Sequence, residues 1–123
     1  MTKRVLDVGN CVPDHAAIRS LIEKNFDAQV VQAHGPDDAL ATLRQGGIDL
    51  VLVNRKLDQD YTDGLDIIKQ IKADAAFSAT PCMLITNYAD QQELAVQAGA
   101  EMGFGKLEFG QPETREQLRA ILG

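Results

Sequence analysis

Residues 48–54 read IDLVLVN, and this stretch decides the fold. An apolar run of strand length with no alternation is buried on both faces, as in parallel sheets covered by helices. Working outward, "RVLDV" (4–8) and "AQVVQA" (28–33) read as earlier strands, and "PCMLIT" (81–86, Pro81 at its edge) and "EMGFGK" (101–106) as later ones. Helical patterns separate them. "DHAAIRSLIEKNF" (14–26) carries Ile18, Leu21, Ile22 and Phe26 on one stripe. "PDDALATLRQGG" (36–47) has Pro36 in its first turn, Ala39, Leu40 and Leu43 inward, and Gly46-Gly47 at its end. "GLDIIKQIKAD" (64–74), "ADQQELAVQAGA" (89–100) and "PETREQLRAIL" (112–122) complete the set.

Five strands alternating with five helices in 123 residues predict an α/β fold in one domain spanning 1–123. The count fits a flavodoxin-like, doubly wound parallel sheet of strand order 2-1-3-4-5 with helices on both faces. Function in such sheets sits at the carboxyl ends of the strands, where the order reverses. The segments after Val8, Val53, Ile85 and Gly105 therefore share one crevice.

Composition narrows the classes. No run is long and apolar enough to span a membrane, and the amino terminus lacks the apolar stretch of a secretion signal, so cytoplasmic residence is expected. The net charge of −6, from 12 basic and 18 acidic residues, argues against direct nucleic-acid binding. Cys11 and Cys82 are too few for a disulfide framework and form no metal-ligand motif.

Four segments in order carry a resemblance: "GIDLVLVN" (47–54), "TDGLDIIKQIK" (62–72), "TPCMLIT" (80–86) and "AGAEMGFGK" (98–106). Together they resemble the receiver domain of bacterial two-component response regulators over nearly the whole chain. The resemblance implies a phosphate-accepting aspartate after the third strand, an acid pair after the first, a Ser or Thr after the fourth and a lysine after the fifth. Such a pocket holds magnesium by carboxylates, and metal and lysine together neutralise the phosphoryl group.

Residue by residue, the pattern departs from the family. The acid pair falls on Gly9 and Asn10, and the phospho-acceptor position on Asn54. Thr86 and Lys106 stand where the family has its donors, and Leu107 replaces the proline after the lysine. The aromatic that moves on activation falls on Gly103, beside Phe104. A neutral carboxamide cannot attack phosphorus, and Gly9 with Asn10 offers at most a neutral oxygen. No magnesium, no other metal and no cofactor are expected, and no enzymatic activity. The expectation is a pseudo-receiver that binds a protein partner of unspecified identity without phosphorylation. The resemblance places partner contact in residues 90–122, with Phe104, Leu107 and Phe109 as candidates for exposure and burial the competing reading for Phe104.

Two alternatives compete. Asp58 or Asp60, in the long loop "NRKLDQDYTDG" (54–64), are candidates for a displaced phosphate acceptor, though as polar-loop residues they read more simply as solvated acids, with Asp63 capping the next helix. "VLDVG" (5–9) resembles the first strand of S-adenosylmethionine-dependent methyltransferases, but no second glycine precedes the helix. "DQDYTDG" (58–64) is no calcium loop, since Gly64 is the seventh residue from Asp58 where the sixth is required.

Asp7 fits none of these. A mid-strand carboxylate is costly unless paired, so a Lys or Arg partner, an upward-shifted pKa, or a place beside Lys106 is expected. Lys106, without its acids, is expected to be solvated or bonded to the Asn54 carbonyl, another backbone oxygen or Thr86. His15 and His34 read as surface residues.

Overall fold

The computed structural model describes residues 2–123. Five strands, β1 (Lys3–Val8), β2 (Ala28–Ala33), β3 (Leu50–Asn54), β4 (Cys82–Ile85) and β5 (Glu101–Phe104), form one parallel sheet in the order β2-β1-β3-β4-β5. Helices α1 (Val12–Asn25), α2 (Pro36–Arg44), α3 (Gly64–Ala73), α4 (Ala89–Gln97) and α5 (Pro112–Leu122) supply the crossovers. The expected flavodoxin-like topology is the one observed.

Alternation along the strands divides the interior into two layers. On one face Leu50 and Leu52 pack with Ile18 and Ile22 of α1, Phe104, and Leu118 of α5. On the other, Val51 and Val53 pack with Leu43 of α2 and Ile67, Ile68 and Ile71 of α3. β3 is buried along its whole length, which is why its sequence shows no polar alternation. β1 obeys the same rule: Val5 faces the α1/α5 layer while Leu6 and Val8 face the other. Asp7 is thereby aimed beneath α1.

β5 departs from regularity. Met83 pairs with Glu101 and Ile85 with Phe104, so β5 carries one residue more than its partner over this stretch. The strand stops at Phe104, and Lys106 lies beyond it in a 3₁₀ turn, Lys106–Glu108. No helix among the described residues is long and apolar enough to cross a membrane.

Candidate functional site

The carboxyl ends of β1, β3 and β4 and the turn after β5 converge on a crevice. Its cavity of about 240 Å³ is lined by Asn54, Arg55, Lys56, Thr86, Asn87, Tyr88 and Lys106, among others. Asn54, Thr86 and Lys106 thus meet as the sequence places them. Gly9 and Asn10 lie on the β1 side.

Gly9 adopts φ +78°, and a Cβ placed on it would come within 2.3 Å of Leu57 Cγ. Leu57, fully buried, comes from the loop between β3 and α3 and occupies the space an acidic side chain would need. The loop is tied there by the bond from the Asp58 amide to the Gly9 carbonyl at 2.9 Å. Asn54 is held at the same corner. Its Nδ2 donates to the Lys56 carbonyl at 2.7 Å and, more weakly, to the Gly9 carbonyl at 3.4 Å. Both neighbours are acceptors, so an amide satisfies them where a carboxylate would repel them.

Of the expectations for Asp7 the upward pKa shift holds, while its partners and the partner of Lys106 need correcting. Asp7 meets neither Lys nor Arg: Oδ1 accepts from Asn10 Nδ2 at 2.5 Å, and Oδ2 lies 2.6 Å from His15 Nδ1. Its side chain has no exposure, and burial pushes its pKa up against the lowering effect of the His15 and Asn10 bonds. His15 is accordingly not a free surface residue; its side chain is 18% exposed and covers the carboxylate. His34 is exposed. Lys106 is bonded neither to Asn54 nor to Thr86. Its Nζ lies 2.6 Å from Oδ2 of Asp14, in the first turn of α1, which also accepts from Cys11 Sγ at 3.1 Å. The physical reason in both cases is the entry of α1. Its first turn brings Asp14 and His15 over the sheet, one toward β5 and one toward β1. Thr86, buried, accepts from the Tyr88 amide at 3.2 Å.

Partial burial works to raise the Asp14 pKa, but the Lys106 and Cys11 bonds and the lysine charge outweigh it and hold the carboxyl below its usual range. Asp14 therefore stabilises the fold above the ordinary carboxyl pKa of about 3.9, and that contribution is lost as pH falls through its depressed folded value. Urea unfolding at pH 7 and pH 3 is expected to show a steeper acid loss in the natural protein than in Asp14→Asn. Equal losses would deny the ion pair a role. The remaining thiol, Cys82, is buried in β4, and desolvation pushes it up to about 11.

Gly103 has a specific reason to be glycine. A Cβ there would strike the Leu84 carbonyl oxygen at 2.2 Å. Two glutamines that sequence reading missed satisfy the backbone of the irregular strand. Gln92 of α4, buried, accepts from Gly103 N at 3.0 Å and donates to the carbonyls of Leu84 at 2.9 Å and Thr86 at 3.3 Å. Gln117 of α5 donates to the carbonyls of Met102 at 3.1 Å and Gly103 at 3.0 Å. The signal was available only as a polar residue on the inward stripe of each helix.

Of the three apolar candidates for exposure, Phe104 is buried and packs edge-on against the half-buried Phe109, with ring centroids 5.9 Å apart. Phe104 lies in the α1/α5 layer because side chains alternate along β5, so it forms no part of an outer surface. Leu107 is 83% exposed and Met102 half exposed. Asp58 and Asp60 are exposed in the loop, where Asp60 Oδ1 accepts from the Thr62 amide at 2.9 Å. Asp63 caps α3 by accepting from Leu65 N at 3.0 Å.

A family model described as "Response regulator receiver domain" matches residues 11–119. Among solved structures, a response regulator from Thermotoga maritima is 25% identical, with a TM-score of 0.80 over 99% of this chain and 98% of its own. The signal receiver domain of a DNA-binding response regulator from Colwellia psychrerythraea is 21% identical, with a TM-score of 0.80 over 97% of each chain. The chemotaxis response regulator CheY4 of Vibrio cholerae is 17% identical, with a TM-score of 0.78 over 99% of this chain and all of its own. The methyltransferase alternative is overturned by the family match, which spans the chain from Cys11 to Arg119.

Proposed function

Because this chain belongs to the response regulator receiver domain family, we propose that it is a signalling module that acts by protein contact and not by forming an aspartyl phosphate. One observation carries the reading: Asn54 stands at the end of β3 with its amide engaged by two carbonyl oxygens. A carboxamide has no anion with which to attack phosphorus. Leu57, seated over Gly9, accounts for the loss of the neighbouring acid.

The donor set does not suit magnesium. That ion takes one or two carboxylates and near-octahedral oxygen ligation. At the positions of the acid pair there is a glycine and a neutral asparagine, whose buried Oδ1 is an unpartnered acceptor. The carboxylates beside these positions are already engaged, Asp7 by Asn10 and His15 and Asp14 by Lys106. Lys106 and Thr86 in turn serve the fold, the first by anchoring α1 and the second by capping the turn before α4. Partner contact falls to the exposed apolar side chains beyond β4, Leu107 and Met102 foremost, with Phe109 at their margin. The acidic charge of the chain leaves any nucleic-acid contact to a partner.

Incubation with acetyl phosphate, with and without magnesium, followed by intact-mass analysis tests this directly. No magnesium-dependent, hydroxylamine-labile adduct is expected. Such an adduct, abolished by Asp58→Ala or Asp60→Ala, would show that the acceptor has been displaced into the loop.

A further inference from the structure

We propose that His15 is a covalent modification site whose outward ring nitrogen, Nε2, accepts a phosphoryl group without a metal. The site lies on α1, away from Asn54, so it goes beyond the function just described. It rests on Asp7, His15 and the outer face of α1, with Asn10 common to both arguments.

The geometry begins with Asp7. One of its oxygens is taken by Asn10 and the other faces His15 Nδ1 at 2.6 Å. An ionised carboxylate only accepts, so the imidazole proton belongs on Nδ1 and the lone pair on Nε2. A buried carboxylate that fixes the tautomer and orientation of a histidine, and faces the imidazolium that forms, is the device nucleophilic and base histidines use. Nε2 itself has no hydrogen-bond partner among the described residues. Nor is it buried, since Asn10 Oδ1 is the only buried side-chain polar atom without a partner among the described residues. The lone pair therefore opens to solvent.

Where it opens also matters. His15 lines a groove of about 400 Å³ along α1 with Val12, Ala16, Arg19, Ser20, Glu23 and Lys24. Three charged groups face it. Glu23 is engaged on both oxygens, by Arg19 Nε at 3.1 Å and by the Val30 amide at 3.0 Å. Arg19 and Lys24 leave the groove one positive charge in excess, which favours an anionic electrophile over a neutral acyl donor. Asp7 lies on the far side of the ring.

In the transfer, the Nε2 lone pair forms a bond to phosphorus as the bond from phosphorus to the donor's leaving group breaks. With phosphoramidate as donor, ammonia departs. The ring keeps its Nδ1 proton and becomes cationic, and that charge is neutralised by Asp7. No oxidant and no metal enter.

The second histidine is an internal control, because His34 is exposed and its ring makes no hydrogen bond among the described residues. The natural protein is incubated with potassium phosphoramidate and a chelator at pH 8, where an ordinary imidazole is neutral. Labelling is followed by mass spectrometry with site mapping. His15 is expected to gain an acid-labile, hydroxylamine-resistant phosphoryl group at least about tenfold faster than the more accessible His34. A rate at His15 equal to or below that at His34 overturns the proposal, as does label confined to carboxylates. Asp7→Asn is expected to bring the His15 rate down to that of His34 while leaving His34 unchanged. An unaltered His15 rate in that variant would show that the carboxylate does not activate the ring. If the variant does not fold, the comparison of the two histidines in the natural protein decides the matter alone.

Discussion

Gly9→Asp, which puts back an acid at the end of β1, is expected to lower stability by about 2–5 kcal/mol and to recover no magnesium binding. Two effects add. The left-handed backbone at φ +78° costs a side-chain-bearing residue roughly 1–2 kcal/mol, with aspartate at the lower end. Seating a Cβ 2.3 Å from Leu57 Cγ forces that buried side chain to move, an overpacking that costs about 1–3 kcal/mol more. The prediction separates this chain from one that has merely lost a charge. Here the loop has closed over the vacancy, so the acid cannot return alone. Leu57→Ala is itself costly, because it empties a core position. In the double variant it removes the clash, so the double variant is expected to lose about 1–3 kcal/mol less than the sum of the two single losses. Urea denaturation of the single and double variants measures both. A Gly9→Asp protein as stable as the natural one would show that Leu57 does not hold the site shut.

The second large effect is at Asp7. Its replacement by alanine leaves Asn10 Nδ2 without its acceptor inside the protein and strips His15 of a charge-assisted bond. An orphaned buried donor costs about 1–3 kcal/mol and a bond to a charged group contributes about 1.5–3 kcal/mol, so a loss of about 2.5–6 kcal/mol is expected. Asp7→Asn keeps an acceptor oxygen and is expected to lose less. The contrast matters because a mid-strand carboxylate has two opposite readings, a burden carried for function or a strut of the fold. A change below about 0.5 kcal/mol in Asp7→Ala, the usual range for surface positions, would remove the strut reading.

What the sequence made legible follows from backbone periodicity. β3 and β2 declare themselves by unbroken or alternating apolar residues, and a strand–helix alternation leaves few topologies. Asn54, Thr86 and Lys106 were legible because each ends or follows a strand, and strand ends meet in one place. The pairing of side chains was not legible, because it depends on the rotation of α1 about its axis and on where its first turn begins. Asp7–His15 and Asp14–Lys106 join a strand or turn to that helix, and no sequence period encodes them. A carboxylate inside an apolar strand, followed by Asn at the third position and His at the eighth, was the available hint for the first pair. The plugging by Leu57 was hidden for another reason. A single apolar residue in a polar loop reads as incidental until the loop is seen to fold back onto Gly9. Phe104 illustrates the remaining ambiguity, since a short, irregular strand leaves the inward face undecided, and Gln92 and Gln117 looked like ordinary helix polarity.

Addition of magnesium and then beryllofluoride, followed by amide chemical shifts of the natural protein, bears most directly on the mouth of the sheet. With Gly9 covered, Asn54 locked as an amide and Lys106 neutralised by Asp14, the resonances of Asn54, Thr86 and Lys106 are expected to stay where they are through both additions. Saturable, coincident shifts at those three residues would mean that the crevice assembles a metal–phosphoryl site after all, contrary to this account.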